Sequence, residues 1–434
     1  MSFIMNIRSV AKYESKILVR SCFFRIFTLL AVVFLGFFNF AMMLMEDNFG
    51  LWFAKSVSSN IPYLNLLLLN TGQAVVAVFL SSEFLKRDKK LDTSEVFYVR
   101  PLSNAEYVVG KIWGNLRVFL FLNLLVLAIV LAFNFMASGV TVDLPAYLVY
   151  FFLISIPTLI FIIGLSIFLM LLLKNQALTF ILLLGYIGLT LFYIQDKFYY
   201  LFDYMVYNLP LFKSTIVGFS NLELILNHRA IYFFAGLGFI FFTIFLFKRL
   251  PNARRSHYPW LFLSFCMFLL MVTAGFRHVR SILWEGEMRA LYTSINNKYV
   301  YEPKMAIDYY DISVEQKSET IRSVVGMEGT ALAASEVFIF CLNPGLRVEE
   351  VKDGEKSLNF KREEQILAVD FGRKIEKGDT ISFSVSYEGR IKDDFCYLDI
   401  PEEVLQQPHD KEMLKLDKKY SFQTSDYVLF TPET

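Results

Sequence analysis

Charge is scarce in this chain, and histidine and cysteine are scarcer. Asp, Glu, Lys and Arg make up 19% of 434 residues, with four histidines and four cysteines. A chain so poor in charge and so rich in apolar residues is not disordered. A formal net charge of +1 excludes a nucleic-acid binder that works by bulk basicity. Four cysteines at this length exclude a disulfide-dense secreted scaffold. His228, His257, His278 and His409 never pair at i, i+4, so there is no H-E-x-x-H zinc motif. There is no G-x-x-x-x-G-K-[ST] either: Gly110-Lys111 lacks the upstream glycine and the following Ser or Thr. With no nucleophile, metal cluster or acid–base pair in view, no catalytic residue, metal or cofactor is expected in this chain.

Apolar residues are abundant. They form 55% of the chain, and 46 residues are phenylalanine. Crossing a hydrocarbon core takes about 20 apolar residues. Seven stretches qualify: Ile26–Met45, Ile61–Leu80, Val118–Met136, Leu148–Leu173, Ala177–Ile194, Ala230–Phe247 and Tyr258–Gly275. Each is expected to be a helix, because backbone facing lipid must satisfy its own hydrogen bonds. The first is too long for a cleaved signal peptide. Residues 1–275 carry 21 Lys+Arg against 12 Asp+Glu, and residues 276–434 carry 21 against 29. A basic membrane part is thus joined to an acidic tail.

Lys and Arg gather in alternate loops. Arg8, Lys12, Lys16, Arg20 and Arg25 precede the first span; Lys86, Arg87, Lys89, Lys90, Arg100, Lys111 and Arg117 lie between the second and third. Lys174 follows the fourth span, and Lys248, Arg249, Arg254 and Arg255 follow the sixth. These loops are expected in the cytoplasm, with the N-terminus inside and the tail outside. That describes a multi-pass protein of the cytoplasmic (inner) membrane whose C-terminal domain stands in the periplasm or outside. Residues 4–20 read as an interfacial helix. Arg8, Lys12, Lys16 and Arg20 form a basic stripe toward anionic lipid, with Ile7, Val10, Ala11, Ile17 and Leu18 as apolar surface beside it.

The loop at residues 81–117 is too polar to be buried and too patterned for a linker. Pro101 disfavours helix at Arg100, and Ser103 with Glu106 fits a capping box for a new helix leading into the third span. The series Glu83, Arg87, Thr93, Glu95, Arg100, Pro101, Leu102, Ser103, Tyr107, Gly110 and Lys111, with the span count and loop position, resembles the membrane subunit of type-2 ABC exporters. The resemblance covers residues 1–250. It implies an interfacial helix (1–25), a six-span permease domain (26–250), and an ATPase-coupling loop built from those eleven residues. ATP and Mg would belong to a separate cytoplasmic ABC ATPase subunit. A second permease copy, identical or related, would complete the pore. No nucleic acid is expected as a partner.

Few side chains within the spans are ionisable, which argues against a proton relay or ion pump. Asn65, Asn70, Gln73 and Asn123 form a candidate substrate path; hydrogen bonding between helices is the other account of the same residues, and for any single one the favoured account.

The seventh span (258–275) puts the C-terminus outside. Residues 276–320 read as a connector and 321–434 as an antiparallel β domain. Thr380–Tyr387 alternates polar and apolar residues, Lys377-Gly378-Asp379 and Asp353-Gly354 mark turns, and 336–342, 346–351 and 365–369 read as further strands. Phe340–Leu346, Asp353-Gly354, Ile375–Asp379, Val385–Gly389 and Leu429–Thr434 resemble the N-terminal β domain of zinc aminopeptidases of the aminopeptidase N type. The catalytic motifs of that family, H-E-x-x-H and G-x-M-E-N, are missing. The chain is therefore expected to be a truncated or split permease–peptidase fusion, or a permease that kept only the β domain. Cys341 and Cys396 are a candidate disulfide, although two lone strand cysteines are the expected state. Two functions compete: a permease subunit moving a substrate across the membrane, and a membrane anchor or scaffold for an extracytoplasmic zinc aminopeptidase.

Overall fold

The computed structural model describes residues 3–44, 58–88, 102–136, 142–194, 197–207, 221–247, 258–317 and 320–392, with single positions 209, 211, 213, 219, 395 and 398. The side chains of residues 43, 44 and 82–88 are outside that description. The chain divides into two units, and the boundary falls inside one helix, after Val279.

The helical unit opens with α1 (Phe3–Arg20), α2 (Cys22–Leu44), α3 (Asn60–Asp88) and α4 (Asn104–Met136). Next comes α5 (Leu144–Tyr150), which passes through a π turn, Phe151–Ser155, into α6 (Ile156–Leu173). Then follow α7 (Gln176–Leu189), with a π turn Thr190–Ile194, and α8 (Leu222–Leu246); α9 (Tyr258–Lys298) begins here and ends in the second unit. Seven of these segments are long and apolar enough to cross a membrane: α2, α3, α4, α5 with α6, α7, α8 and α9. They match the seven predicted stretches and fit a multi-pass membrane protein.

Local chemistry sets the helix ends. Ser103 Oγ accepts from Glu106 N at 3.2 Å and Glu106 Oε2 accepts from Ser103 N at 2.6 Å, so the predicted capping box starts α4. Asp143 caps α5, with Pro145 in its first turn. Lys174 turns left-handed to stop α6, and Asn175 caps α7. Packing between α6 and α8 depends on two glycines facing each other. A Cβ on Gly236 would meet Ile160 O at 2.7 Å, and one on Gly164 would meet Gly236 O at 2.7 Å.

The second unit holds the end of α9 and eight strands. Its five-stranded sheet has the order β1-β2-β8-β4-β5 and its three-stranded sheet the order β3-β7-β6, with every pairing antiparallel. The strands are β1 (Met305–Lys317), β2 (Thr320–Ala331), β3 (Ser335–Cys341), β4 (Leu346–Asp353), β5 (Lys356–Ser357), β6 (Asn359–Glu363), β7 (Ile366–Ile375) and β8 (Thr380–Gly389). Phe338, Val351, Val369, Phe371, Phe383 and Val385 fill the core. Phe371 sits edge-on to Phe338 and Phe383, at 5.9 and 5.5 Å between ring centres. Gly354 (φ +61°) and Gly378 (φ +94°) occupy the two predicted turns.

Residues 276–320 are more than a connector. They hold the second half of α9 and strand β1, which pairs along β2. β1 is exposed along nearly its whole length, so selection for an apolar face leaves no period-two signal in Asp308-Tyr309-Tyr310-Asp311.

Candidate functional site

The first feature is the joint between α1 and the start of α4. Glu14 is the one acid in α1, and it points at α4. Its carboxylate lies 3.0 Å from Lys111 Nζ, with the two side chains 4% and 1% exposed. Such a pair holds only if its polar atoms are well matched, because both ions have left water. Neighbouring hydrogen bonds join the same two helices around it. Asn6 Nδ2 donates to Glu106 Oε1 at 2.8 Å, Ser15 Oγ to Gly114 O at 2.6 Å, and Arg117 to Ser15 Oγ and Ala11 O at 2.5 and 2.7 Å. Gly110 and Gly114, one turn apart on α4, make the notch. A Cβ on either would come within 2.7 Å of Val10 Cβ or Glu14 Cβ. Tyr107 stacks on Phe247 just after α8, 5.4 Å between centres, and Asn104 Nδ2 donates to Phe247 O at 2.6 Å.

Of the predicted coupling residues, Leu102 is half-buried and Ser103 exposed at the mouth of this joint. Tyr107, Gly110 and Lys111 are buried inside it. They weld helices together rather than form a surface. Thr93, Glu95, Arg100 and Pro101 lie outside the described residues, as do the side chains of Glu83 and Arg87 in α3. α1 forms over the predicted residues 4–20, and its apolar side is partnered. Ala11 and Leu18 are buried and Ile7, Val10 and Ile17 half-buried, and this face packs on α4.

The second feature is a closed ring of three amides and one hydroxyl. Gln73 Nε2 donates to Asn70 Oδ1 at 2.6 Å, and Asn123 Nδ2 donates to Gln73 Oε1 at 2.9 Å. Ser155 Oγ donates to Asn123 Oδ1 at 2.8 Å, and Asn70 Nδ2 donates to Ser155 Oγ at 3.2 Å. All four side chains are buried. Asn65 pairs reciprocally with Asn39 at 2.7 and 3.1 Å. The four predicted path residues therefore spend their hydrogen bonds on joining helices α2, α3, α4 and the π turn before α6.

The third feature lies between α7 and α8, and sequence reasoning missed it. The described residues of this segment run among the helices, and seven of their carbonyl oxygens take a side-chain donor from elsewhere in the helical unit. His278 Nε2 reaches Tyr199 O at 2.8 Å, His228 Nε2 reaches Tyr200 O at 3.0 Å, and Tyr232 Oη donates to Leu201 O. Thr158 Oγ1 and Arg229 donate to Tyr204 O at 3.1 and 3.0 Å. Tyr63, Tyr150 and Ser59 donate to the carbonyls of Val206, Leu211 and Lys213 at 3.3, 2.9 and 2.6 Å. Irregular backbone at membrane depth needs such partners. Since a carbonyl only accepts, each histidine carries its proton on Nε2. Phe198, Tyr199 and Tyr200 all have left-handed φ, between 53° and 62°, and Val206 has 64°. Non-glycine residues hold that conformation only where surrounding contacts fix it.

Arg229 is the centre of this region, with 3% of its surface exposed. Pro157 has no N–H, so the Leu153 carbonyl loses its helical donor. Arg229 Nε replaces that donor at 2.7 Å, and its Nη2 donates to Thr158 Oγ1 at 2.9 Å and Ile154 O at 3.4 Å. Asp203, also buried, accepts from the backbone of Tyr207 and Leu209 at 2.8 and 3.2 Å. The expectation of spans nearly clear of ionisable groups is corrected here. α8 starts at Leu222, eight residues before the predicted span, and takes in His228 and Arg229, and α9 takes in His278. The apolar residues Leu222, Leu224, Ile225 and Leu226 upstream were the signal available.

Among the described residues, no group of three or more His, Cys, Asp or Glu is placed to hold a metal ion. Cys341 is exposed at the end of β3, and its candidate disulfide partner Cys396 lies outside the described residues.

No protein-family model matches this chain, and no curated protein matches it. Among solved structures, an M1 zinc metallopeptidase from Deinococcus radiodurans matches at 17% identity over 20% of this chain and 21% of its own, with a TM-score of 0.19. The chain thus spans about a fifth of that structure's length, and a likeness so small assigns neither fold nor activity.

Proposed function

We propose that this chain is the membrane subunit of an ATP-driven exporter of the type-2 ABC class. A separate cytoplasmic ATPase would dock on the loop between α3 and α4, and a second permease copy would complete the pore. The observation that carries this reading is the joint of α1 with α4. The loop ends at Leu102-Ser103, and the next four turns of α4 are gripped by α1 through the buried Glu14–Lys111 pair and the glycine notch. A force on the loop would enter α4 at its capped end and move α1 with it as one body. Tyr107, Gly110 and Lys111 then transmit the force that the loop receives.

The test is purification of the tagged full chain from its native membranes in mild detergent, with partners identified by mass spectrometry. The expected result is a nucleotide-binding subunit that is lost when Glu83→Ala and Arg100→Ala are combined. Recovery of a peptidase with no ATPase would overturn the proposal and favour the membrane-anchor reading.

A further inference from the structure

α1 has a second face that the joint leaves uncovered. Arg8, Lys12, Lys16 and Arg20 are all exposed, and so are Met5, Tyr13 and Val19 between them. At 100° per residue these seven side chains share one side of the helix, opposite Ala11, Glu14 and Leu18. The single acid of α1 is turned inward and neutralised by Lys111. The outward face therefore carries four positive charges with no acid among them, set in a partly apolar surface.

Its depth follows from α4. That helix has 33 residues and is about 50 Å long, whereas a hydrocarbon core is about 30 Å thick. The uncharged stretch of α4 is Val118–Met136, long enough by itself to fill the core. The charged part, Glu106 to Arg117, stands beyond it, and that is the part α1 packs against. α1 is thereby held at the level of the lipid headgroups.

We infer that the outward face of α1 is a binding surface for anionic phospholipid headgroups. The four cations meet the phosphates, while Met5, Tyr13 and Val19 enter the boundary between headgroup and acyl chain. The Glu14–Lys111 pair keeps the helix from rolling and turning its acid toward the lipid. This inference holds for a permease and for an anchor alike.

The experiment uses the full chain in nanodiscs of equal phosphatidylglycerol and phosphatidylcholine. The lipids retained on release into detergent are counted by native mass spectrometry. Wild type is expected to keep phosphatidylglycerol preferentially. Each cation near an anionic surface contributes about fivefold. Lys12→Gln with Lys16→Gln should therefore lower the preference at least about tenfold, and neutralising all four should lower it further. Lys12→Arg with Lys16→Arg should retain it. Because these side chains are exposed, the melting temperature should stay within about 2 °C of wild type in every variant. An unchanged lipid preference in the neutralised variants overturns the inference, and points instead to an acidic protein as the partner of this face. Loss of the preference in the Arg variants also overturns it, because charge would then not be the recognised feature.

Discussion

Glu14 and Lys111 are conspicuous at the scale of single residues because each is expensive alone. Water would solvate either ion better than a helix–helix contact does, so the pair persists through its 3.0 Å geometry and the bonds around it. Removing one partner leaves the other buried and uncompensated. Glu14→Leu is expected to destabilise the helical unit by about 3–5 kcal/mol, read as a fall in melting temperature in detergent. Glu14→Leu with Lys111→Met should be milder than the single change, since no charge is stranded. A double variant as unstable as the single one would show that volume, not charge, sets the joint. Gly114→Ala tests the same contact sterically: its Cβ would lie 2.9 Å from Ala11 O, and backbone yields little, so a loss of about 1–3 kcal/mol is expected.

At the scale of elements, the segment between α7 and α8 has irregular, left-handed backbone that only its surroundings can stabilise. Arg229 donates to three carbonyls, two on the π-turned helix and one on the segment. Arg229→Met should remove the donor that stands in for the missing Pro157 N–H at the Leu153 carbonyl and leave the Tyr204 carbonyl with Thr158 alone, at about 1–3 kcal/mol for each buried group that loses its partner. Amides in residues 198–207 are expected to exchange with solvent at least tenfold faster, as measured by mass spectrometry, while those in β7 and β8 are unchanged. Arg229→Lys should fall between, because one ammonium lacks the planar fork that reaches several acceptors. Wild-type exchange in the Met variant would show that the tyrosine and histidine donors suffice. Such a segment is hard to see in a sequence, because its donors come from five separate elements and no local period announces it. The Ser103–Glu106 cap, the Asp353-Gly354 turn and the alternating Thr380–Tyr387 strand were legible because each needs only neighbours in sequence. Asn70, Gln73 and Asn123 were legible as polar but not as a ring closed by Ser155, since two mutually satisfied side chains and two lining a path have the same spelling. Strand β1 and the second half of α9 were missed for the opposite reason: exposed on most sides, they carry no apolar stripe to read.

At the scale of the whole molecule, the boundary inside α9 makes a testable statement about what folds alone. The described residues after Val279 have their own core, and the end of α9 belongs to that unit. Gln365, fully buried between β6 and β7, donates to Tyr292 O at 2.7 Å and Asn296 Oδ1 at 2.8 Å. Glu363 accepts from Lys298 Nζ at 2.9 Å and from Tyr299 Oη at 2.5 Å. A fragment from Arg280 through the end of the chain should therefore melt in one cooperative transition. A fragment starting at Met305 should melt lower, because it strands the Gln365 amide and leaves Glu363 unpaired. The pH dependence has a definite sign. The Tyr299 hydroxyl and, after it, the Lys298 ammonium hold the Glu363 carboxyl below its ordinary value. A carboxyl lowered in the folded state binds fewer protons there, so its contribution is fully present above the ordinary value of about 4.3 and fades as pH falls through the lowered one. Glu363→Gln should accordingly lower the melting temperature of the Arg280 fragment at pH 7. The gap between variant and wild type should close as the pH is taken below about 4. A gap of constant size from neutral to acid pH would mean that the glutamate acts by shape alone, and a fragment with no cooperative transition would mean that the second unit does not fold without the spans.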